Sequence, residues 1–387
     1  MEFDSVVVGG GLVGVSLGLA MAQKGTKVCL VDAGLQPASS ALDGRTLALA
    51  QGSRQILVTL GLWEALKDHA HSIEEIRISQ PKSKGFVHYK SKDVGSDPMG
   101  YLIPLRHLQR ALEDRIQNEP NVTLIRPFKV KTLENHAHHV SLTSDKAETI
   151  HTKLCFAADG KQSWIRSHLG MRTKKWPYDQ TGIVTTVRHE KPHNQVAFEH
   201  FLPRGPLAFL PLKEYESAIV WTEETAAAAY LMQLDEQGFE SLLQESFPHL
   251  GALTLTSSRQ SYPLSGHFVP SPAKGRTFLV GDAAHGIHPV AGQGFNLGLR
   301  DVAWFLQQPL HVFTDLSLLT KRYTRHRRFD VWSMTAMTHG LVKLFSHPSS
   351  TLSHIRGLGM ELTNHLPFMK TLLTRHAMGM MGGSRES

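Results

Sequence analysis

The stretch Val6-Val7-Val8-Gly9-Gly10-Gly11-Leu12-Val13-Gly14 runs from an apolar triplet into the pattern Gly-x-Gly-x-x-Gly. Residues 14–23 follow as a small, apolar segment with helical periodicity, and Val28-Cys29-Leu30-Val31 then forms a second apolar run that ends on Asp32. Apolar runs this short read as strands buried on both faces. Two parallel strands joined by a helix make a right-handed crossover unit, so the spacing predicts strand, tight turn, helix, strand. Gly9 permits the turn, Gly11 lets the backbone approach a pyrophosphate, and Gly14 lets helix and strand pack closely. The helix N-terminus offers free N–H groups and partial positive charge to phosphates. Asp32, 21 residues after Gly11, stands where an acid holds the ribose hydroxyls of a dinucleotide. The glycine pattern alone is weak evidence; the strand before it, the helix after it and the acid at this distance make it a dinucleotide site. They do not separate FAD from NAD.

Composition bounds the rest. A chain of 387 residues, 41% hydrophobic and 19% charged, is long enough for two or three packed units and is not disordered. Its two cysteines, Cys29 and Cys155, lie inside apolar runs and read as buried free thiols of a reducing compartment. The N-terminus shows no basic or cleavable leader pattern, and no run of 18 apolar residues occurs. The expected location is therefore the cytoplasm or the inner face of the cytoplasmic membrane. The formal net charge is +7, and residues 321–387 alone hold ten Lys/Arg against three Asp/Glu. The whole excess thus sits in the last sixth of the chain. No nucleic-acid motif accompanies it, and the basic residues do not interleave with aromatics in the manner of nucleic-acid binders. The tail is rich in Leu, Met, Phe and Ile, which fits an anionic membrane surface better. Lys321, Arg322, Arg325, Arg327 and Arg328 form its basic cluster.

Further strands are expected over 72–79, 122–125, 140–142, 154–157, 182–187, 196–202, 207–212, 217–222 and 277–280. Residues 198–210 read as a hairpin turning at Pro203-Arg204-Gly205-Pro206. After about residue 292 the pattern is helical to the end. The expected architecture is α/β: a Rossmann-like dinucleotide domain (1–75, 101–170 and 272–330), an inserted, mainly antiparallel sheet domain (76–100 and 171–271) and a C-terminal helical region (331–387).

Two more segments repeat the strand-into-turn theme. Leu154-Cys155-Phe156-Ala157 runs into Ala158-Asp159-Gly160, with Ser163 and Arg166 opening a helix beyond it. Asp159-Gly160 by itself is only a turn. Thr277-Phe278-Leu279-Val280 runs into Gly281-Asp282-Ala283-Ala284-His285 and continues through Pro289, Gly292-Gln293-Gly294 and Leu299-Arg300-Asp301. The Asp282 carboxylate is placed to accept a hydrogen bond from a cofactor hydroxyl. A helix beginning near Gly292 would turn its N–H groups toward an electron-rich ring oxygen, a contribution of roughly 0.3–2 kcal/mol. His285 reads as a structural hydrogen-bonding residue. No Ser-His-Asp, paired-carboxylate or metal pattern competes for the chemistry.

Taken in order, the three segments at 9–14, 158–160 and 281–289 resemble the motifs of the FAD-dependent aromatic hydroxylases, the p-hydroxybenzoate hydroxylase superfamily of flavoprotein monooxygenases. Closer resemblance, over roughly residues 3–376, is to its ubiquinone-biosynthesis hydroxylases. Asp43-Gly44-Arg45-Thr46-Leu47-Ala48-Leu49, Ile103-Pro104-Leu105-Arg106-His107-Leu108, Gly205-Pro206-Leu207-Ala208, Ile219-Val220-Trp221-Thr222-Glu223 and the unbroken run 281–301 carry it. Many relatives place Glu at the position of Asp32; either carboxylate suits a ribose.

The resemblance implies bound FAD, contacted by Gly9, Gly11, Gly14, Asp32, Arg45, Arg106, Asp159, Gly281, Asp282, Gly292, Gln293 and Gly294. It places Pro289 beside the reactive edge of the flavin. It also implies NAD(P)H as a transient reductant without its own Rossmann unit, O2 as co-substrate, and hydroxylation of a polyprenyl phenol. Other ubiquinone-biosynthesis proteins are candidate partners. Phe198, His200, Phe209 and Trp221 alternate on sheet strands and read mostly as core; His200 and Phe209 are the candidates from this set to line a substrate pocket. A hydroxylase of a small soluble aromatic, a flavin-dependent prenyl reductase and a non-catalytic flavoprotein scaffold remain as alternatives.

Overall fold

The structure, a computed structural model, describes residues 2–34, 45–81, 86–93, 95, 97–288 and 292–346, the side chains of 341–346 excepted. Its elements run β1 (Glu2–Val8), α1 (Leu12–Gln23), β2 (Val28–Val31), β3 (Thr46–Ala50), α2 (Gln51–Thr59), β4 (His71–Ile73), β5 (Glu75–Ser79), β6 (Val87–Lys90), β7 (Gly100–Pro104) and α3 (Leu105–Gln117). Then come β8 (Val122–Ile125), β9 (Val130–Asn135), β10 (Val140–Ser144), β11 (Thr149–Ala157) and α4 (Trp164–His168). The middle of the chain holds β12 (Lys174–His189), β13 (Val196–Leu202), β14 (Gly205–Pro211), β15 (Glu216–Glu224), α5 (Thr225–Gln233), α6 (Glu236–Ser246), β16 (Leu253–Leu255) and β17 (Gln260–Phe268). The chain closes with β18 (Ala273–Lys274), β19 (Thr277–Leu279), β20 (His285–Gly286), α7 (Gln293–Gln307) and α8 (Leu316–Ser346).

The predicted crossover unit is present. β1 pairs in parallel with β2 on one side and with β11 on the other, and β19 and β8 extend the sheet at its two edges. Alternation divides its side chains. Val7, Leu30, Phe156 and Phe278 pack under α1, α3 and α7, whereas Val6, Val8, Cys29, Val31 and Cys155 pack against residues of β9 and β10. Both faces are covered, which is why these strands read as continuous apolar runs.

The second sheet has the order β20-β17-β12-β15-β14-β13-β5-β6. The hairpin turns where the sequence places it, with Leu202 opposite Gly205. The segment 72–79, expected as one strand, is two. β4 pairs with β7 in a small third sheet, and β5 pairs with β13 in the second. The break falls at Glu74, where the amides of Glu74 and Glu75 both reach the Gln195 carbonyl. The middle region also contains α5 and α6, which cover one face of the second sheet with Phe239 and Leu243 packed on Trp221, Phe209 and Ile183.

α7 and α8 confirm the helical character of the region after residue 292, as far as it is described. One member of the predicted basic cluster is misplaced by that expectation. Arg327 is buried, its Nε donating to Asp301 Oδ1 at 2.5 Å and its Nη1 paired with Asp330. Arg327 therefore belongs to the core and not to any surface patch. Burial alone would raise the Asp301 carboxyl, but Arg327 and His285 outweigh it and hold it below the usual carboxylate range.

Asp301→Ala leaves the Arg327 guanidinium buried with one acidic partner lost. A loss of about 3–5 kcal/mol is expected in urea unfolding. The sign with pH follows from the lowered pKa: the stabilisation from Asp301 is present above its unfolded value near ~4 and disappears as pH falls through the folded value. The parent should lose melting temperature more steeply on acidification than Asp301→Ala does.

Candidate functional site

The three sequence motifs meet at one edge. In the parallel sheet Val8 lies opposite Val31 and Ala157, and Ala157 lies opposite Leu279. The residues that follow these positions, Gly9, Asp32, Ala158-Asp159 and Gly281-Asp282, are thereby gathered at the carboxyl ends of adjacent parallel strands, the usual ligand position in such sheets.

The glycines there fall into two kinds. Gly9 has φ +114°, and a Cβ on it would lie 2.3 Å from the Ala158 carbonyl oxygen; a Cβ on Gly14 would lie 2.0 Å from the Gly9 oxygen. Gly292 (φ +62°) has Ala48 against it. The fold itself demands these. Gly11 and Gly294 differ: a Cβ on either would meet nothing within 4 Å. Gly11 has φ −73°, accessible to any residue. Each stands at the start of a helix, α1 or α7, beside open space.

Polar groups surround that space. Asp32 accepts the amides of Gly10 (2.5 Å) and Gly34 (2.7 Å) and so braces the glycine turn. Asp159 accepts from the Ile165 amide through Oδ2, while its buried Oδ1 has no hydrogen-bond partner among the described residues. Ser163 caps α4 by accepting from the Arg166 amide. Arg166 then donates to the Ala283 carbonyl and ties the second motif to the third. Asp282 is exposed at its surface yet lies in a hollow crowded enough that burial raises its carboxyl pKa. Gly281 packs on Val13 of the first motif. Asn296 accepts from the Ala50 amide and donates to the Ala48 and Gly292 carbonyls, fastening β3 to the first turn of α7, where Gln293 is buried. The Arg45 carbonyl accepts the Leu105 amide, which brings Arg45 and the exposed Arg106 to neighbouring positions, and the Arg45 guanidinium stacks over Tyr262.

Two residues at this edge were missed from sequence. Gln51 opens α2, is fully buried, and neither amide atom of its side chain has a partner among the described residues. Arg126 ends β8 with a guanidinium nitrogen close to Gly10, and pairs with Glu113 at 2.7 Å. Gln51 lies two residues beyond the end of the quoted Asp43–Leu49 segment; only that nearness could have flagged it. Pro289 lies outside the described residues.

The two pocket candidates are corrected. His200 and Phe209 sit on the helix-covered face of the second sheet. Phe209 stacks on Phe247 at 4.5 Å, and His200 lies 5.8 Å from the same ring with Nδ1 2.7 Å from the Ser79 hydroxyl. Strand alternation turns both away from the face that meets the third motif. His285 is buried and bonded to Asp301 at 2.9 Å, a structural role.

A parallel sheet with a glycine turn at its carboxyl edge, the start of α1 directly after that turn and a second sheet alongside define a dinucleotide-binding protein. The comparisons narrow the class. The FAD binding domain family model matches residues 2–338. Ubiquinone hydroxylase UbiL of Rhodospirillum rubrum is 38% identical over 97% of this chain and 89% of its own. The 3-demethoxyubiquinol 3-hydroxylase of Escherichia coli is 29% identical over 97% and 98%. Among solved structures, p-nitrophenol 4-monooxygenase PnpA of Pseudomonas putida superposes with a TM-score of 0.79 at 18% identity, covering 99% of both chains. The chain belongs to the FAD-binding family of flavoprotein monooxygenases and is an FAD-dependent enzyme. The orphaned polar atoms of Gln51 and Asp159 and the open space at Gly11 and Gly294 fit that cofactor.

Gly11→Val should fold, since its backbone is ordinary and its surroundings are empty, yet should carry no flavin. Flavin absorbance per chain, with apo melting temperatures for comparison, reads this out; normal flavin content would refute the cradle. Asp282→Ala should weaken FAD by about one to two decades in dissociation constant, the value of a charge-assisted hydrogen bond of roughly 1.5–3 kcal/mol.

Proposed function

We propose that this enzyme hydroxylates the ring of a polyprenyl phenol on the route to ubiquinone, with NAD(P)H and O2. The observation that carries the reading is the near end-to-end match to ubiquinone hydroxylases, and the buried polar atoms of Gln51 and Asp159 that have no partner among the described residues support it as groups that would suit a flavin. In this reading residues 1–75, 101–170 and 272–330 hold the flavin, and 76–100 with 171–271 hold the substrate. Gly9, Gly11 and Gly14 bring the α1 N-terminus to the pyrophosphate, Asp32 serves the ribose, and Asp159 and Asp282 bind cofactor hydroxyls. Arg45, Arg106 and Gln51 flank the cofactor, and Gly281, Gly292, Gln293 and Gly294 present the α7 N-terminus to the ring. When bound, FAD supplies the redox and oxygen chemistry. The protein orients the phenol and excludes water, which would otherwise waste reducing equivalents.

The reading extends to the membrane. No helix among the described residues is long and apolar enough to cross one. α8 instead turns Lys321, Arg322, Arg325 and Arg328 outward, with Phe329 73% and Trp332 61% exposed. Positions 325, 328, 329 and 332 share one helix face. A groove of about 1460 Å³ opens beside it, walled in part by Ile56, Phe268 and Trp304. Cations beside exposed aromatics suit an anionic bilayer, which would deliver an isoprenoid substrate. Residues 347–387, the rest of the basic tail, lie outside the described residues.

Two measurements test this. Purified enzyme with a short-tailed 2-prenylphenol should show substrate-stimulated NAD(P)H oxidation and a ring-hydroxylated product; stimulation without product, or neither, removes the reading. Arg325→Gln with Arg328→Gln should lower affinity for anionic vesicles by roughly thirty-fold, at ~1 kcal/mol per cation. Co-sedimentation indifferent to lipid charge and salt would sink the docking assignment.

A further inference from the structure

Across five strands of the second sheet, Ile78, Glu199, Ala208, Val220 and Val184 lie directly opposite one another. They occupy one face by strand alternation. The other face carries Phe198, Phe209, Ile219 and Trp221 beneath α5 and α6. The Glu199 face is not covered by those helices. Gln180 lies on it too, in the regular register with β15, and its Oε1 is 3.3 Å from His288 Nε2 on the third motif. α8 approaches the same strands, β13 and β14. The row is apolar except for one carboxylate, and the Gln180–His288 contact ties the same face to the third motif.

Glu199 is half-buried, and among the described residues no hydrogen bond or ion pair reaches its carboxylate. An unpaired carboxyl in an apolar row costs stability and asks for a reason. Burial pushes it up to about 7. Among the described residues no charged group is placed against it, and burial is the one cause of its shift. Tyr89 on β6 and Tyr178 on β12 are both raised by burial, and His288 is lowered to about 4 by burial and by His339 of α8. Arg188 and Glu216 pair with each other at the far end, and Glu224 lies exposed beside Gln180.

We propose that Glu199 is the catalytic base that takes the hydroxyl proton of the phenol bound against this face. The inference rests on the phenol-hydroxylase reading above. The phenol O–H bond breaks, the proton forms a new O–H bond on the Glu199 carboxylate, and the electron pair left on the phenol oxygen raises electron density at the ortho and para carbons. One oxygen atom of O2 forms the new C–O bond at one of those carbons as the O–O bond breaks. The other oxygen leaves as water, with NAD(P)H supplying the two electrons, and the ring carbon gives up its hydrogen as a proton to restore aromaticity. Glu199 then releases its proton to solvent.

The test uses the FAD-loaded full chain and a short-tailed 2-prenylphenol. Glu199→Gln should keep its melting temperature and FAD content while kcat falls about a hundredfold, the usual share of general base catalysis. In the parent, kcat/KM should rise through pH ~7 as the carboxyl ionises. Glu199→Gln should lose that limb, and Glu199→Asp should retain it at reduced rate. A fluorinated prenylphenol already ionised at the assay pH should narrow the gap between parent and Glu199→Gln. An active parent whose Glu199→Gln variant keeps both rate and pH limb overturns the assignment of Glu199 alone. A parent that hydroxylates no prenylphenol overturns the functional reading and this assignment with it.

Discussion

Asp301 is fully buried on α7, and three positively polarised groups converge on its carboxylate: the Gly281 amide at 2.7 Å, the His285 ring at 2.9 Å and the Arg327 guanidinium at 2.5 Å. Arg327 continues to Asp330 and to the Leu297 carbonyl, and one turn away Tyr323 donates to the Leu279 carbonyl. A charge cluster this deep is expensive to desolvate and adds less to net stability than its distances suggest. What it does is fix geometry. The end of β19, the Gly281 turn, the body of α7 and the buried face of α8 become one unit, and that unit fixes Asp282 and Gly292 beside the carboxyl edge of the parallel sheet. Any slip of α8 along α7 would strand a guanidinium in the core.

The cradle shows how close packing and ligand space are kept apart along a short sequence. Gly9 and Gly14 are consumed by contacts within the fold, and the crossing of α1 over the sheet depends on them. A Cβ on Gly11, or on Gly294 at the start of α7, would meet no described residue within 4 Å. A side chain at either position would therefore occupy space beside a helix N-terminus without clashing with the described protein.

Much of the fold was legible because it is local. The β1-α1-β2 unit, the hairpin at 202–205 and the apolar strands at 122–125 and 277–279 all follow from period and turn chemistry. Strands lacking that signature were lost. β17 contains Pro263 and Gly266 among polar residues, and β3 lies within a segment quoted for its resemblance and not for its period. The site divided in the same way. Glycines and acids at fixed distances from strand ends could be named, whereas Gln51 gains meaning only when its burial and unpaired amide are seen. Charge counting also misled: Arg327 adds to the basic total of the tail while lying in the core. Net charge is blind to which face of a helix a residue takes.

The second sheet carries the sharpest consequence of alternation. Choosing His200 and Phe209 for the pocket selected a chemically sensible strand pair and the wrong parity, because aromatic residues on β13 and β14 were needed to build the core under α6. The residue between them in register, Glu199 opposite Ala208, falls on the other face by the same two-residue period that buries Phe198 opposite Phe209. The helix-covered face carries Phe198, Phe209, Ile219 and Trp221, and the row on the opposite face carries Ile78, Glu199, Ala208, Val220 and Val184. In a family where the cofactor performs the bond-making, a substrate domain would have to provide an apolar wall that leaves room for a ring and places few polar groups near it.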